Sequence, residues 1–192
     1  MNPIRTFLAL PLPRELRGYL FTLADQIKDP QDQINWVKRA NIHITLNFLG
    51  DTNPELIEEQ ARGLEALVGS FSAIDIGITD TGIFPHANDP RVLWVGSAPY
   101  DDTLISFKNR LNDHLKQLGY PIDYRKFQPH ITLGRVKTIS RKSTFIHDFL
   151  AEEVREIDFE IRELKWVKST LTAAGAIYEE IQTFKFNTGD QR

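Results

Sequence analysis

The chain has 192 residues, 41% of them hydrophobic and 26% charged, a formal net charge of −3, and no cysteine. That length can bury a full core, and the charge gives no broad attraction to nucleic acid, so such a partner would be held at one small site. The absence of cysteine excludes disulfides, thiol nucleophiles and cysteine-ligated zinc.

An apolar run near the start, FLALPLP, is interrupted by two prolines and too short for a membrane span or a signal segment. A cytoplasmic protein with no membrane partner is expected. No Gly/Ser linker or low-complexity tract divides the chain, so residues 1–192 read as one domain. Residues 5–12 read as a buried strand, and Pro13 opens a helix over 14–28 with Leu16, Leu20, Leu23 and Ile27 on one face. A short strand near 34–38 leads to a strand at 42–49. Asn53 and Pro54 are placed as N-cap and first turn of a second helix, striped by Ile57, Leu64 and Leu67. Strands follow at 72–84 and 91–95. The spacing of Leu104, Phe107, Leu111, Leu115 and Leu118 predicts a helix over 101–118, with aspartates at its start and Gly119 placed to end it. A strand at 129–136, a short helix near 141–151, a half-exposed strand around Ile157, Phe159 and Ile161, and a last strand at 177–186 complete the reading.

Two repeats lie in this order of elements. His-Ile-Thr-Leu occurs at His43–Leu46 and again at His130–Leu133, 87 positions apart. Beneath it, Arg5 and Arg91 each begin a strand that ends on a proline eight residues later, an amphipathic helix follows, and the histidine strand arrives 38 or 39 residues after the arginine. Strand, helix, His-x-Thr strand is written twice. That pattern predicts two similar lobes facing one cleft, each supplying one histidine.

Alternation along a strand puts His43, Thr45 and Asn47 on one face, with Ile44, Leu46 and Phe48 on the other. His130 and Thr132 share a face in the same way. A single His-x-Thr is an ordinary half-exposed strand; two copies in matched settings point to chemistry. Histidine titrates near neutrality, so one neutral ring can remove a proton from a nucleophile while a protonated one gives a proton to the leaving group. A threonine hydroxyl beside each ring can donate to an anionic oxygen, and two such donors describe a phosphate site. Neither motif has a carboxylate or second histidine at ligand spacing, which argues against a metal.

The paired HITL motifs, with their flanks WVKRANIHITLNFLG and FQPHITLGRV and the segments FLALPLP, RVLWVG and STLTAAGAIYEEIQTF, resemble the two-histidine phosphoesterases. Within these, the chain is similar to the RNA 2′,3′-cyclic phosphodiesterases, formerly called 2′-5′ RNA ligases. The resemblance implies an α+β fold of two pseudo-symmetric lobes around a central cleft, each lobe an antiparallel sheet with helices on its outer face. It implies hydrolysis of a terminal 2′,3′-cyclic phosphate on RNA, or on a nucleoside cyclic phosphate, to a 2′-phosphomonoester. No cofactor or metal is implied, and a monomer is expected. In that scheme His43 is the proton donor to O3′ and His130 the proton acceptor from water, while Thr45 and Thr132 bind phosphate oxygens. An arginine five residues after the second histidine also belongs to the pattern, and Arg135 supplies it. Strict alternation would put Arg135 on the face opposite His130, so a bulge at Gly134 is expected to return it to the cleft.

The same cleft could serve a nucleotide-binding module without catalysis, or the reverse reaction joining a cyclic end to a 5′-hydroxyl. His114 is expected at a helix surface or core edge, His86 in a solvated loop and His147 exposed. Trp36 and Trp94 are expected to pack in the core, although an aromatic near the cleft could stack a base. Tyr178 is placed near the cleft by its position alone.

Overall fold

The computed structural model describes residues 2–99, 102–173 and 175–189. Among these residues, nine strands and four α-helices follow in chain order: β1 (Ile4–Pro11), α1 (Arg14–Gln26), β2 (Gln33–Trp36), β3 (His43–Thr52), α2 (Ile57–Gly69), β4 (Ile74–His86), β5 (Asp89–Pro99), α3 (Thr103–Gln117), β6 (His130–Thr138), α4 (Phe145–Leu150), β7 (Ile157–Ile161), β8 (Glu163–Thr172) and β9 (Gly175–Lys185). Local signals set several boundaries. The Asn53 side chain accepts from the Glu55 amide, with Pro54 at the first position of a single 3-10 turn that runs into α2. At the end of α3, Gly119 takes φ 84°, the Tyr120 amide bonds to Leu115 O, and the Gly119 amide bonds to Lys116 O. That is a Schellman stop, at the glycine expected from sequence. Of the two aspartates read at the start of this helix, Asp101 lies outside the described residues, and Asp102 occupies the N-cap position without a side-chain capping bond.

The strands form one nine-stranded antiparallel sheet in the order β7-β4-β5-β6-β3-β1-β8-β9, with β2 paired to β6. The two expected lobes are its halves, β3-β1-β8-β9 and β6-β5-β4-β7. They are joined where Ile44 of β3 faces Ile131 of β6. Because these are the same residue of the repeated motif, a pseudo-two-fold axis passes between them. The chain exchanges strands across this axis. After β1-α1-β3-α2, strand β4 crosses to pair with β5, and after β5-α3-β6-α4-β7, strand β8 returns to pair with β1. The tract REIDFEIRELKW, residues 155–166, read as one half-exposed strand, contains both β7, on one lobe, and the start of β8, on the other.

One face of the sheet packs against the helices. Leu8, Leu10, Ile44, Leu93, Val95 and Ile131 from the strands join Leu20, Leu64, Phe107, Leu111, Leu115 and Phe149 from the helices, nearly all without solvent exposure. Burial contributes about 1.5–3 kcal/mol for each such side chain. The other face holds a smaller cluster of Phe7, Ala9 and Val167, with Tyr178 against it. This second face carries the histidines.

Candidate active site

Strands β3 and β6 run antiparallel through the centre of the sheet, with Ile44 and Ile131 opposed and directed into the core. Alternation then places His43 beside Thr132 and Thr45 beside His130 on the cleft face, and all four side chains are half-buried. Across such a pair of strands the two histidines are diagonal neighbours, about 7–8 Å apart at the backbone.

Each ring is held in the same way. His43 Nδ1 lies 2.7 Å from Asn41 O, and His130 Nδ1 lies 2.9 Å from Gln128 O, a carbonyl two residues back in both cases. A carbonyl can only accept, so Nδ1 carries the proton of each neutral ring and Nε2 is left as an acceptor. His43 Nε2 stands 3.0 Å from the Thr45 hydroxyl. Aromatic rings fix the two planes. Phe7 stacks on His43 with ring centroids 5.1 Å apart, and Tyr178 meets it edge-on at 5.6 Å. Phe84 meets His130 edge-on at 4.9 Å, with Trp94 6.3 Å away. Trp94 is therefore buried, as expected, and is also part of the wall beside His130.

The bulge expected beside Arg135 is present. Leu93 pairs with Gly134 and Trp94 with Thr132, which leaves Leu133 as the extra residue. Leu133 and Gly134 are both buried, and Arg135 returns to the face of His130 and Thr132. Glycine is needed at 134 because a Cβ there would lie 2.8 Å from Ile34 Cγ2 and 3.2 Å from the Trp36 ring on β2.

Strand β3 repeats the bulge, which alternation alone did not reveal. Leu8 pairs with Asn47 and Ala9 with Thr45, so Leu46 is the extra residue. The faces assigned to Asn47 and Phe48 are thereby reversed. Asn47 is 5% exposed and turns inward, where its side chain bonds to Asn112 and accepts from the buried Lys108 ammonium at 3.0 Å. Phe48 emerges on the cleft face, 6.1 Å from Phe7. Burial and the nearby Asp123 act in opposite directions on Lys108, and burial prevails, lowering its pKa to about 8.

Electrostatics couple the site across the two lobes. His43 is lowered to about 4, chiefly by burial and further by His130 and Arg135, against the opposing bond to Asn41. His130 is lowered too, by burial and then by Arg135. Arg135 also acts on Tyr178, which burial raises. The field of Arg135 thus reaches His43, His130 and Tyr178. Burial and the Arg135 guanidinium together disfavour protonated imidazole at both positions, effects that a nearby negative charge would oppose.

The remaining histidines lie elsewhere. His114 Nε2 is buried without a hydrogen-bond partner among the described residues, against Gly63 of α2. His86 accepts from the Asp89 amide at the β4–β5 turn, and His147 is exposed beside Asp148. The sequence pattern did not single out Phe7 and Phe84, because apolar residues in strands usually signal core. Among the described residues no group of three or more His, Cys, Asp or Glu side chains is placed to hold a metal ion, and no helix is long and apolar enough to cross a membrane.

A family model described as the 2′-5′ RNA ligase superfamily matches residues 13–172. A Methanocaldococcus jannaschii protein named RNA 2′,3′-cyclic phosphodiesterase is 34% identical over 182 residues, covering 93% of this chain and 99% of its own. One of the same name from Thermotoga maritima is 29% identical, covering 97% of each. Among solved structures, a protein of Thermus thermophilus superposes with a TM-score of 0.79 at 22% identity, covering 96% of this chain and 99% of its own. Escherichia coli LigT complexed with 3′-AMP gives 0.73 at 23% identity, covering 96% and 98%.

Proposed function

Because the chain belongs to the 2′-5′ RNA ligase superfamily, we propose that it hydrolyses the 2′,3′-cyclic phosphate at RNA 3′ ends to a 2′-phosphomonoester, with His43 and His130 as the acid–base pair. The observation that carries this reading is the matched pair of rings. Each is tied through Nδ1 to a carbonyl two residues back and lies diagonally opposite the other across the pseudo-two-fold axis.

In the reaction, water approaches phosphorus from the His130 side. The neutral Nε2 of His130 takes one of its protons as the new P–O bond forms. The P–O3′ bond breaks on the opposite side, in line with attack, and protonated His43 gives its Nε2 proton to the departing O3′. The products are a free 3′-hydroxyl and a phosphate retained on O2′. Thr45, Thr132 and Arg135 donate to the non-bridging oxygens, where charge accumulates in the transition state. After turnover, His130 holds the extra proton, and exchange with solvent restores the starting forms. Phe7 and Phe84 exclude water from the outer sides of the rings and keep them in plane.

The test is the product formed from a defined oligoribonucleotide ending in a 2′,3′-cyclic phosphate, in the presence of a strong chelator. A 2′-phosphate with a free 3′-hydroxyl is expected. A 3′-phosphate product, or activity abolished by chelator and restored by a divalent ion, would overturn the assignment.

A further inference from the structure

A cavity of about 440 Å³ opens beside His43 and extends away from the cleft centre along β1, β8 and β9. Its size falls in the range of small-molecule sites. Near His43 it is walled by Phe7, Ala9, Val167 and Tyr178. Lys165, paired in register with Ala9, lies one step farther, and Arg17 of α1 lines the cavity beyond Pro11 and Pro13. From Phe7 to Pro11 the floor runs about 13 Å at strand rise. His130 is not among its lining residues.

The in-line geometry of the reaction says what should lie there. O3′ departs on the His43 side, so the ribose bearing it, and the base beyond, lie on that side and not on the side of the attacking water. This argument rests on the functional reading above. Three cations and three carboxylates line the cavity, in balance, which does not suit a second phosphate. It suits a neutral polar ring presenting both donors and acceptors.

Two polar groups have capacity to spare. Arg17 Nε is buried with no hydrogen-bond partner among the described residues, a cost that a ligand acceptor would remove. Glu180 is already committed to Lys165 at 2.6 Å and to the Thr183 hydroxyl at 2.6 Å. Glu163 is only 3.5 Å from Lys165, in a long contact, and keeps acceptor capacity. Guanine offers adjacent acceptors at O6 and N7 for a guanidinium and an N2 amino donor for a carboxylate, whereas adenine places a donor at N6 in the position of that O6. We propose that this cavity is the pocket for the 3′-terminal nucleobase and that Arg17 and Glu163 make it select guanine over adenine.

The test uses short oligoribonucleotides closed as 2′,3′-cyclic phosphates and identical except for the terminal residue, which is guanosine, adenosine or an abasic ribose. Values of kcat/KM are measured for the wild type, Arg17→Gln and Glu163→Gln. The wild type should favour guanosine over adenosine by about tenfold or more. Each variant should lose most of that preference through a fall on the guanosine substrate that the abasic one does not share. Equal wild-type rates on guanosine and adenosine ends, or an equal loss on all three substrates in both variants, would overturn the pocket while leaving the activity intact. Failure of the wild type to hydrolyse any of them would instead remove the functional reading on which the pocket rests.

Discussion

Binding a cyclic phosphate should reverse the protonation preference of His43, and pH–rate profiles can detect that reversal. In the protein by itself His43 is lowered to about 4 by burial, His130 and Arg135. At pH 7 only about one ring in a thousand would then carry the proton needed to expel O3′. The substrate is a monoanion. Placed about 4 Å from the ring, at an effective dielectric near 20, it favours imidazolium by about 4 kcal/mol. That amounts to roughly a thousandfold in protonation, enough to return His43 to the ordinary imidazole range. The profile of kcat/KM reports the free protein and that of kcat the complex. The alkaline limb of kcat should therefore lie at clearly higher pH than that of kcat/KM. Arg135→Gln removes one of the charges that lower both histidines, so it should move the kcat/KM profile to higher pH even as affinity falls. Because the two rings titrate as a coupled pair, the comparison is between whole profiles. Coincident alkaline limbs for kcat and kcat/KM would refute the reasoning, since the phosphate would then not be the charge that arms His43.

Replacing either His43 or His130 by alanine should lower kcat by roughly 10²–10⁴, as read by steady-state kinetics on samples that thermal unfolding shows to be folded. Gly134→Val should cost about 1–3 kcal/mol in denaturant unfolding, because its side chain must displace Ile34 or Trp36; it should also depress kcat by moving Arg135. The pKa of His43 is lower folded than unfolded, so the unfolded chain takes up the proton first as pH falls. Stability is thus lost between pH 6.5 and about 4, by at most on the order of 3 kcal/mol. His43→Gln should flatten that part of the curve of unfolding free energy against pH.

Much of the protein was legible in its sequence, because the signals concerned are local. The HITL repeat, the apolar faces of α1 and α3, the Asn53 cap and the Gly119 stop depend only on side chains a few residues apart. The return of Arg135 to the cleft could be expected because glycine stood where a bulge was needed. The equivalent bulge at Leu46 had no glycine to mark it. Asn47 and Phe48 therefore exchanged faces unannounced, and the ammonium of Lys108, from a helix 61 residues away, came to satisfy the inward-turned Asn47. Strand partners were decided only in three dimensions, where β4 and β8 cross to opposite lobes. An alternating pattern states which face of a strand is apolar but not which neighbour completes its hydrogen bonds. The placing of Phe7 against one histidine and Phe84 against the other was decided there as well. An apolar side chain reads the same in sequence whether it fills a core or walls a histidine ring, and the sheet that assigns it one place exists only once distant strands have paired.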